Sequence, residues 1–252
     1  MKGSTAVSSA AQPLPDEVVP PVAAVPDPPR QRDAERTRAE ILDVATSEFA
    51  DRGYAGARVD EIAAKTSTTK RMIYYYFGGK EQLYVAVLER SYSRIRGLEQ
   101  RLDVEHLHPV EAIRALAGLT FDHHEAHPDF IRLVSIENIH RAEHIARSER
   151  LSNLNTRALD VLGRILARGR EAGVFRDDVE ALDVHQVISG FCIYRTANRY
   201  TWRALFGRDM LDPERRDQQR RMLGDLVVAY LTADPTRDHA GVPHTREDAR
   251  RG

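Results

Sequence analysis

Lys70, Arg71, Tyr74 and Tyr75, within the segment TKRMIYYYFGGKEQLY, offer two cations and two phenols. Lysine supplies a point charge, arginine a planar fork of donors, and each tyrosine a hydroxyl on an apolar ring. No Asp or Glu occurs between Thr66 and Lys80. Such a set suits phosphate oxygens and base edges, where arginine pairs bidentately with guanine. At about 100° per residue the four fall on one side of a helix, and Met72, Ile73, Tyr76 and Phe77 fall on the other. One side can bury while the other meets a polyanion.

A helix used in this way needs a scaffold behind it. From Arg36 onward, Ile41, Leu42, Ala45 and Phe49 recur at helical spacing, and Gly53 stands where a helix C-terminal glycine belongs. A short second helix follows from Val59 to about Lys65, burying Val59, Ile62 and Ala63. Thr66 to Thr68 make a tight connection, and Thr69 can cap the next helix with its hydroxyl. Three short helices with such a turn before the third form a helix-turn-helix, whose second member enters the major groove. Gly78-Gly79 stops the third helix. Lys80 opens a long fourth one, where its ammonium and the free backbone N–H groups together suit a phosphate. Arg30, Arg32, Arg36 and Arg38 could form a minor-groove arm, diluted by Asp33 and Glu35.

The remainder reads as all-α, with about nine helices and no period-2 alternation. Helices are expected from Pro109 to His127, from Pro128 through IENIHRAEH, from Leu151 to Ala172, from Asp183 to Phe206, and from Pro213 to Leu231. The expected division is a disordered proline-rich tail over 1–32, a helix-turn-helix domain over 33–80, a ligand-binding and dimerisation domain over 81–232, and a polar tail over 233–252. Seven of the twelve prolines lie in the first 30 residues. That composition cannot bury enough surface to offset the entropy of ordering. The net charge of −1 means that any nucleic-acid surface is local. A single cysteine, Cys192, excludes an internal disulfide and any cysteine-based metal site. No apolar run is long enough to span a membrane and prolines interrupt any signal-peptide core, so a cytoplasmic protein is expected.

The stretch GYAGARVDEIAAKTSTTKRMIYYYFGGKEQLYVAVLE resembles the DNA-binding domain of the tetracycline-repressor (TetR) family, from about Arg36 to Leu88. The resemblance rests on the YxxF helix end at Tyr74 to Phe77, the following KEQL, and the GY before the second helix. It implies an all-α homodimer with a variable C-terminal ligand-binding domain and a palindromic operator. It also implies that Tyr74 bonds a phosphate. Three positions depart from the family pattern. Arg58 replaces a capping threonine at the start of helix two and can reach a phosphate by charge, Ser67 replaces the turn glycine, and Thr68 replaces an aliphatic residue.

A dimer also answers a question of size, because one such unit is small for a specific DNA interface. Ile188, Phe191, Trp202, Leu205, Phe206, Met222, Leu223, Leu226, Val227 and Tyr230, on the last two long helices, are its candidate material. The partners expected are double-stranded palindromic DNA, a second copy, and a small organic effector, anionic or aromatic; no membrane and no cofactor are expected. Effector candidates are polar residues on apolar faces, with their aromatic neighbours: Thr120, Phe121, His124, Glu137, Asn138, Phe191, Arg195, Asn198 and Trp202. Buried, Arg195 must find an anion, which is either Glu137 or an effector carboxylate, unless it lies in a wet dimer interface. The i,i+4 pairs His123/His127 and His140/His144, with Glu137, allow a metal-sensing regulator as an alternative and, more remotely, a metal-dependent hydrolase. No Gly-rich phosphate loop, GxSxG or HExxH occurs, so no enzyme is expected.

Overall fold

The computed structural model describes residues 29–233; the two tails fall almost wholly outside that range. Among the described residues there are ten α-helices, one turn of 3-10 helix and no strand. The N-terminal set is α1 (Pro29–Gly56), α2 (Val59–Ala64) and α3 (Lys70–Phe77), and α4 (Lys80–Arg101) leads away from it. There follow α5 (Pro109–Ala126), α6 (Pro128–Ile139), the 3-10 turn (Ile145–Arg147), α7 (Glu149–Glu171), α8 (Ala181–Ala197), α9 (Arg199–Phe206) and α10 (Pro213–Thr232). Proline occupies the first turn of α5, α6 and α10, where its missing N–H costs nothing. Gly53 interrupts α1 at φ 69°, and Gly78 ends α3 at φ 85°, conformations that few other residues adopt cheaply.

Two apolar cores divide the molecule. The first gathers Ile41, Ala45 and Phe49 of α1, Ile62 of α2, Ile73 and Phe77 of α3, and Leu83, Tyr84, Val87 and Leu88 of α4. Leu133 of α6 and Leu151 of α7 also enter it, so the C-terminal half is packed directly on the helix-turn-helix. The second core lies among α5, α7, α8 and α10, around Ile113, Ala117, Phe121, Ile165, Ile188, Cys192, Leu223 and Val227. A small cluster of Ile95, Phe130 and Ile131 lies along the distal half of α4. At the end of α7, the Phe175 ring packs against Gly169, where an added Cβ would stand 1.9 Å from it. Gly169→Ala is expected to evict that ring and cost about 1–3 kcal/mol, the usual range for overpacking, read as a lowered urea midpoint.

Two expected helices differ. The segment 183–206 is broken at Asn198 (φ −98°, ψ 7°), giving ten helices rather than nine. Asn198 donates its side-chain amide to the Tyr194 carbonyl at 3.2 Å, alongside its backbone N–H at 3.0 Å, a local bonding habit that lets asparagine interrupt helices. The IENIHRAEH helix stops at Ile139. Arg141 and Ala142 then both take φ 58°, unusual for residues with a Cβ, and the chain doubles back into the 3-10 turn.

Candidate nucleic-acid face and buried cavity

The third helix is held as its periodicity demands. Ile73 and Phe77 are buried, Met72 and Tyr76 are half-buried, and Arg71, Tyr74 and Tyr75 are exposed. Burying an Ile or Phe side chain is worth about 1.5–3 kcal/mol, which outweighs the preferences of so short a helix. The Thr69 hydroxyl accepts from the Met72 N–H at 3.3 Å and fixes its first turn. The departures in the preceding turn are absorbed by α1. Ser67 donates its N–H and its hydroxyl to the Glu40 carboxylate at 2.7 and 2.6 Å. Those bonds hold the Glu40 carboxyl below its ordinary range, and Ser67 is not among the residues at positive φ.

The cations expected at DNA are not equivalent. Arg71 has no ion-pair or hydrogen-bond partner among the described residues. Lys70 pairs with Asp60 of α2 at 2.8 Å, and Asp60 raises its pKa. Arg58 is exposed at the N-cap of α2, near enough to Lys70 for the two charges to oppose each other. Lys80 is turned inward: its ammonium lies 4.9 Å from the Tyr54 ring centroid and donates to the Ala55 carbonyl at 3.3 Å. Burial lowers its pKa, so reaching a phosphate requires it to leave that seat. Arg32, Arg36 and Arg38 lie on α1 itself rather than on an extended arm, and Arg38 covers the Phe77 ring. The Arg30 side chain falls outside the described residues.

Behind this face, a cavity of about 740 Å³ opens among α4, α5, α6, the 3-10 turn, α7 and α8. Its apolar wall includes Tyr92, Ile95, Phe130, Val134, Leu182 and Ile193, and its polar groups include Arg96, Glu99, Thr120, His124, His185 and Ser189. Ile145, Ala146 and Ser148 close one side. Size and lining both suit an organic molecule. Of the nine effector candidates the lining includes Thr120 and His124 and none of the other seven. Phe121 and Phe191 belong to the second core instead, and Arg195 reaches Gln219 of α10. Arg195 is buried with Glu125 at 2.8 Å, lies over the Phe121 ring and donates to Gln219. Its anion is thus Glu125 rather than Glu137, while its Nη2 is buried with no partner among the described residues. Asn138 is exposed and bonds its own helix, Asn198 caps α8, and Trp202 stacks on Phe206.

Glu137 is 1% exposed and serves the doubled-back segment. It accepts from the backbone N–H groups of His144 and Ile145 at 3.2 and 3.1 Å and lies 3.0 Å from His144 Nδ1. The His144 ring in turn rests on Tyr54 and Tyr84 of the N-terminal core. The metal alternative lacks a grouped ligand set: His144 is taken by Glu137, His140 is exposed, and the His123 and His127 rings, 4.6 Å apart and tilted, stand as a pair. Among the described residues, no three His, Cys, Asp or Glu side chains are grouped to hold a metal ion. Burial pushes the Cys192 thiol up to about 12, far from thiolate chemistry.

Arg96 and Glu99 were missed because α4 reads as a connecting helix. The signal was nevertheless present, since Tyr92, Ile95, Arg96 and Glu99 form one i, i+3, i+4, i+7 stripe.

The buried imidazoles give a pH prediction. Burial pushes His123 down to about 3 and His124 and His185 to about 4, whereas the unfolded chain titrates near 6.5. Between roughly pH 6.5 and 4 the unfolded state therefore binds protons that the folded state refuses. Stability is complete above that window and falls as pH drops through it, at up to about 1.4 kcal/mol per unit per group. The urea midpoint is expected to fall from pH 7 to pH 5. His123→Leu should flatten the decline, because both His123 ring nitrogens are buried without partners.

Two family models match the chain: bacterial regulatory proteins, tetR family, over residues 41–87, and a tetracyclin repressor-like C-terminal domain over residues 109–227. The HTH-type transcriptional repressor NicS of Pseudomonas putida is 32% identical over 202 residues, 80% of this chain and 95% of that protein. The HTH-type transcriptional repressor SCO4008 of Streptomyces coelicolor is 34% identical over 157 residues, 61% of this chain and 74% of that protein. A solved tetR-family regulatory protein from Rhodococcus shares the fold at 19% identity, with a TM-score of 0.62 over 79% of this chain and 99% of that one. The metal-sensing alternative finds no support in these relatives.

Proposed function

The chain belongs to the tetR family of helix-turn-helix transcriptional regulators, and from that premise we propose a homodimeric repressor that an organic effector releases from a palindromic operator. DNA is met by Arg58, Thr69, Lys70, Arg71, Tyr74 and Tyr75, with Lys80 joining once it leaves Tyr54. The effector site is the 740 Å³ cavity rather than the Arg195 region.

One observation carries this reading: a single short segment is both cavity wall and brace of the DNA-binding part. Ile145, Ala146 and Ser148 line the cavity. On the other side Arg147 pairs with Glu81 at 2.7 Å, and the Ser148 hydroxyl donates to Glu89 at 2.8 Å, both on α4. Arg132 of α6 adds a 2.6 Å pair to Asp51 of α1. A ligand that displaces the 145–148 wall changes the seating of α4 and α1, hence the separation of two reading helices. A response of about 100-fold needs about 2.7 kcal/mol of differential affinity for the two states.

The expected dimer stripe sorts into two faces. Ile188, Leu223 and Val227 are buried in the protomer's own core. Met222, Leu226 and Tyr230 of α10 are exposed, as are Val187 and Tyr194 of α8 and Leu205 and Phe206 of α9. An exposed apolar surface of this extent supports self-association through α8 and α10. Sedimentation should show a dimer, and Met222→Glu with Leu226→Glu should yield a folded monomer whose affinity for the DNA upstream of its own gene falls at least about 100-fold, since a palindrome is read by both half-sites. A charged pair of variants that stays dimeric refutes this interface.

A further inference from the structure

Arg96 is 7% exposed, and its guanidinium is only half used. One amino group, Nη1, donates to both Glu99 carboxylate oxygens at 2.8 and 2.6 Å. Nε is buried with no partner, and Nη2 makes no hydrogen bond to the described residues. Leaving a buried guanidinium N–H unpaired costs free energy that any suitable acceptor would recover. The free Nε–Nη2 edge is the side of the fork that takes a carboxylate bidentately. Both Arg96 and Glu99 border the cavity, together with aromatic and aliphatic residues that include Tyr92, Phe130 and Ile193.

We propose that the effector is an amphipathic monocarboxylate, its carboxylate held by the Arg96 guanidinium and its apolar body in the chamber. The assignment rests on the cavity being the effector site. It places two carboxylates on one buried guanidinium, an excess negative charge that the site must relieve. The other titratable groups bordering the cavity are Tyr92, His124 and His185. Burial raises Glu99 and Tyr92 and holds both imidazoles neutral. A second anion raises Glu99 and Tyr92 further and works against the lowering of the two imidazoles, so Glu99 or an imidazole takes up a proton as the acid enters.

The test uses the full-length protein, with decanoate and 4-phenylbutyrate as probes, their primary amides as neutral counterparts, and Nile red as a charge-free reporter of the cavity. Calorimetry at pH 7 should find each carboxylate bound at least ten-fold more tightly than its amide. Its heat should vary with buffer ionisation enthalpy, in the sense of proton uptake. Arg96→Met with Glu99→Gln, which removes both charges together, should bring the acid-to-amide ratio to about one while Nile red still binds. Arg96→Lys, which keeps the pair with Glu99 and loses the fork, should lower the ratio at least three-fold and serves if the double variant does not fold. Equal binding of acids and amides overturns the carboxylate assignment and leaves the cavity reading standing. So does Nile red binding, blocked by the cavity-filling Ser189→Trp, with no acid bound. Failure of every probe, Nile red included, overturns both.

Discussion

Alanine at position 71 is expected to lower operator affinity by about one and a half to four orders of magnitude, with far-UV circular dichroism unchanged. A bidentate arginine–guanine contact discriminates by about 1–3 kcal/mol, and a dimer makes it twice, giving about 2–6 kcal/mol at 1.4 kcal/mol per decade. The fold should not register the change, because Arg71 is exposed and bonds nothing among the described residues. Lys70 behaves differently, since Asp60 already holds it at 2.8 Å and must be outcompeted by a phosphate. Asp60→Asn therefore frees one cation and deletes one anion in each protomer. Affinity for random duplex should rise, and the slope of log affinity against log salt should steepen by up to about 0.9 for each phosphate newly neutralised. Fluorescence anisotropy on operator and scrambled duplexes over a salt series separates the two effects. If Arg71→Ala weakens both duplexes equally, Arg71 contacts backbone and does not read sequence.

Local periodicity and capping made the reading helix legible. Ile73 and Phe77 turn inward, and Arg71, Tyr74 and Tyr75 turn outward, because eight residues at helical pitch leave no other way to bury the apolar set. The place of the cavity depended on which helix meets which, and that was not local. Arg195 sits on an apolar face of α8, but that face meets α5 and α10, where Glu125 and Gln219 await it. The opposite side of α8, with His185 and Ser189, fronts the cavity. Lys80 illustrates the same limit: its position at the start of α4 suggests a phosphate, yet Tyr54, 26 residues earlier, offers its ring as a seat. The stop of α6 at Ile139 was hidden as well, since HRAEH carries no proline or glycine. A buried carboxylate, Glu137, makes the reversal possible by accepting two backbone N–H groups of the returning chain.

That carboxylate supports the second large effect. Glu137→Ala would leave the His144 and Ile145 N–H groups and the His144 imidazole buried without their acceptor. Leaving a buried donor without its acceptor costs about 1–3 kcal/mol, and with more than one left the loss is a large part of the 5–15 kcal/mol that a folded domain possesses. The expected reading is a sharply lowered urea midpoint with an unchanged slope. Glu137→Gln keeps a carbonyl oxygen of the same shape, so it can still accept from the two N–H groups, and it should lose much less stability. It should also loosen the His144 ring from Tyr54 and Tyr84, the point where the cavity wall touches the N-terminal core. In that variant ligand should still bind, because Glu137 does not border the cavity, while its effect on DNA affinity should shrink. Measuring ligand affinity with and without duplex gives the coupling directly, since linkage requires each partner to weaken the other by the same factor. Undiminished coupling in Glu137→Gln would shift the route of the signal to the pairs Arg147–Glu81 and Ser148–Glu89, which reach α4 without passing through His144.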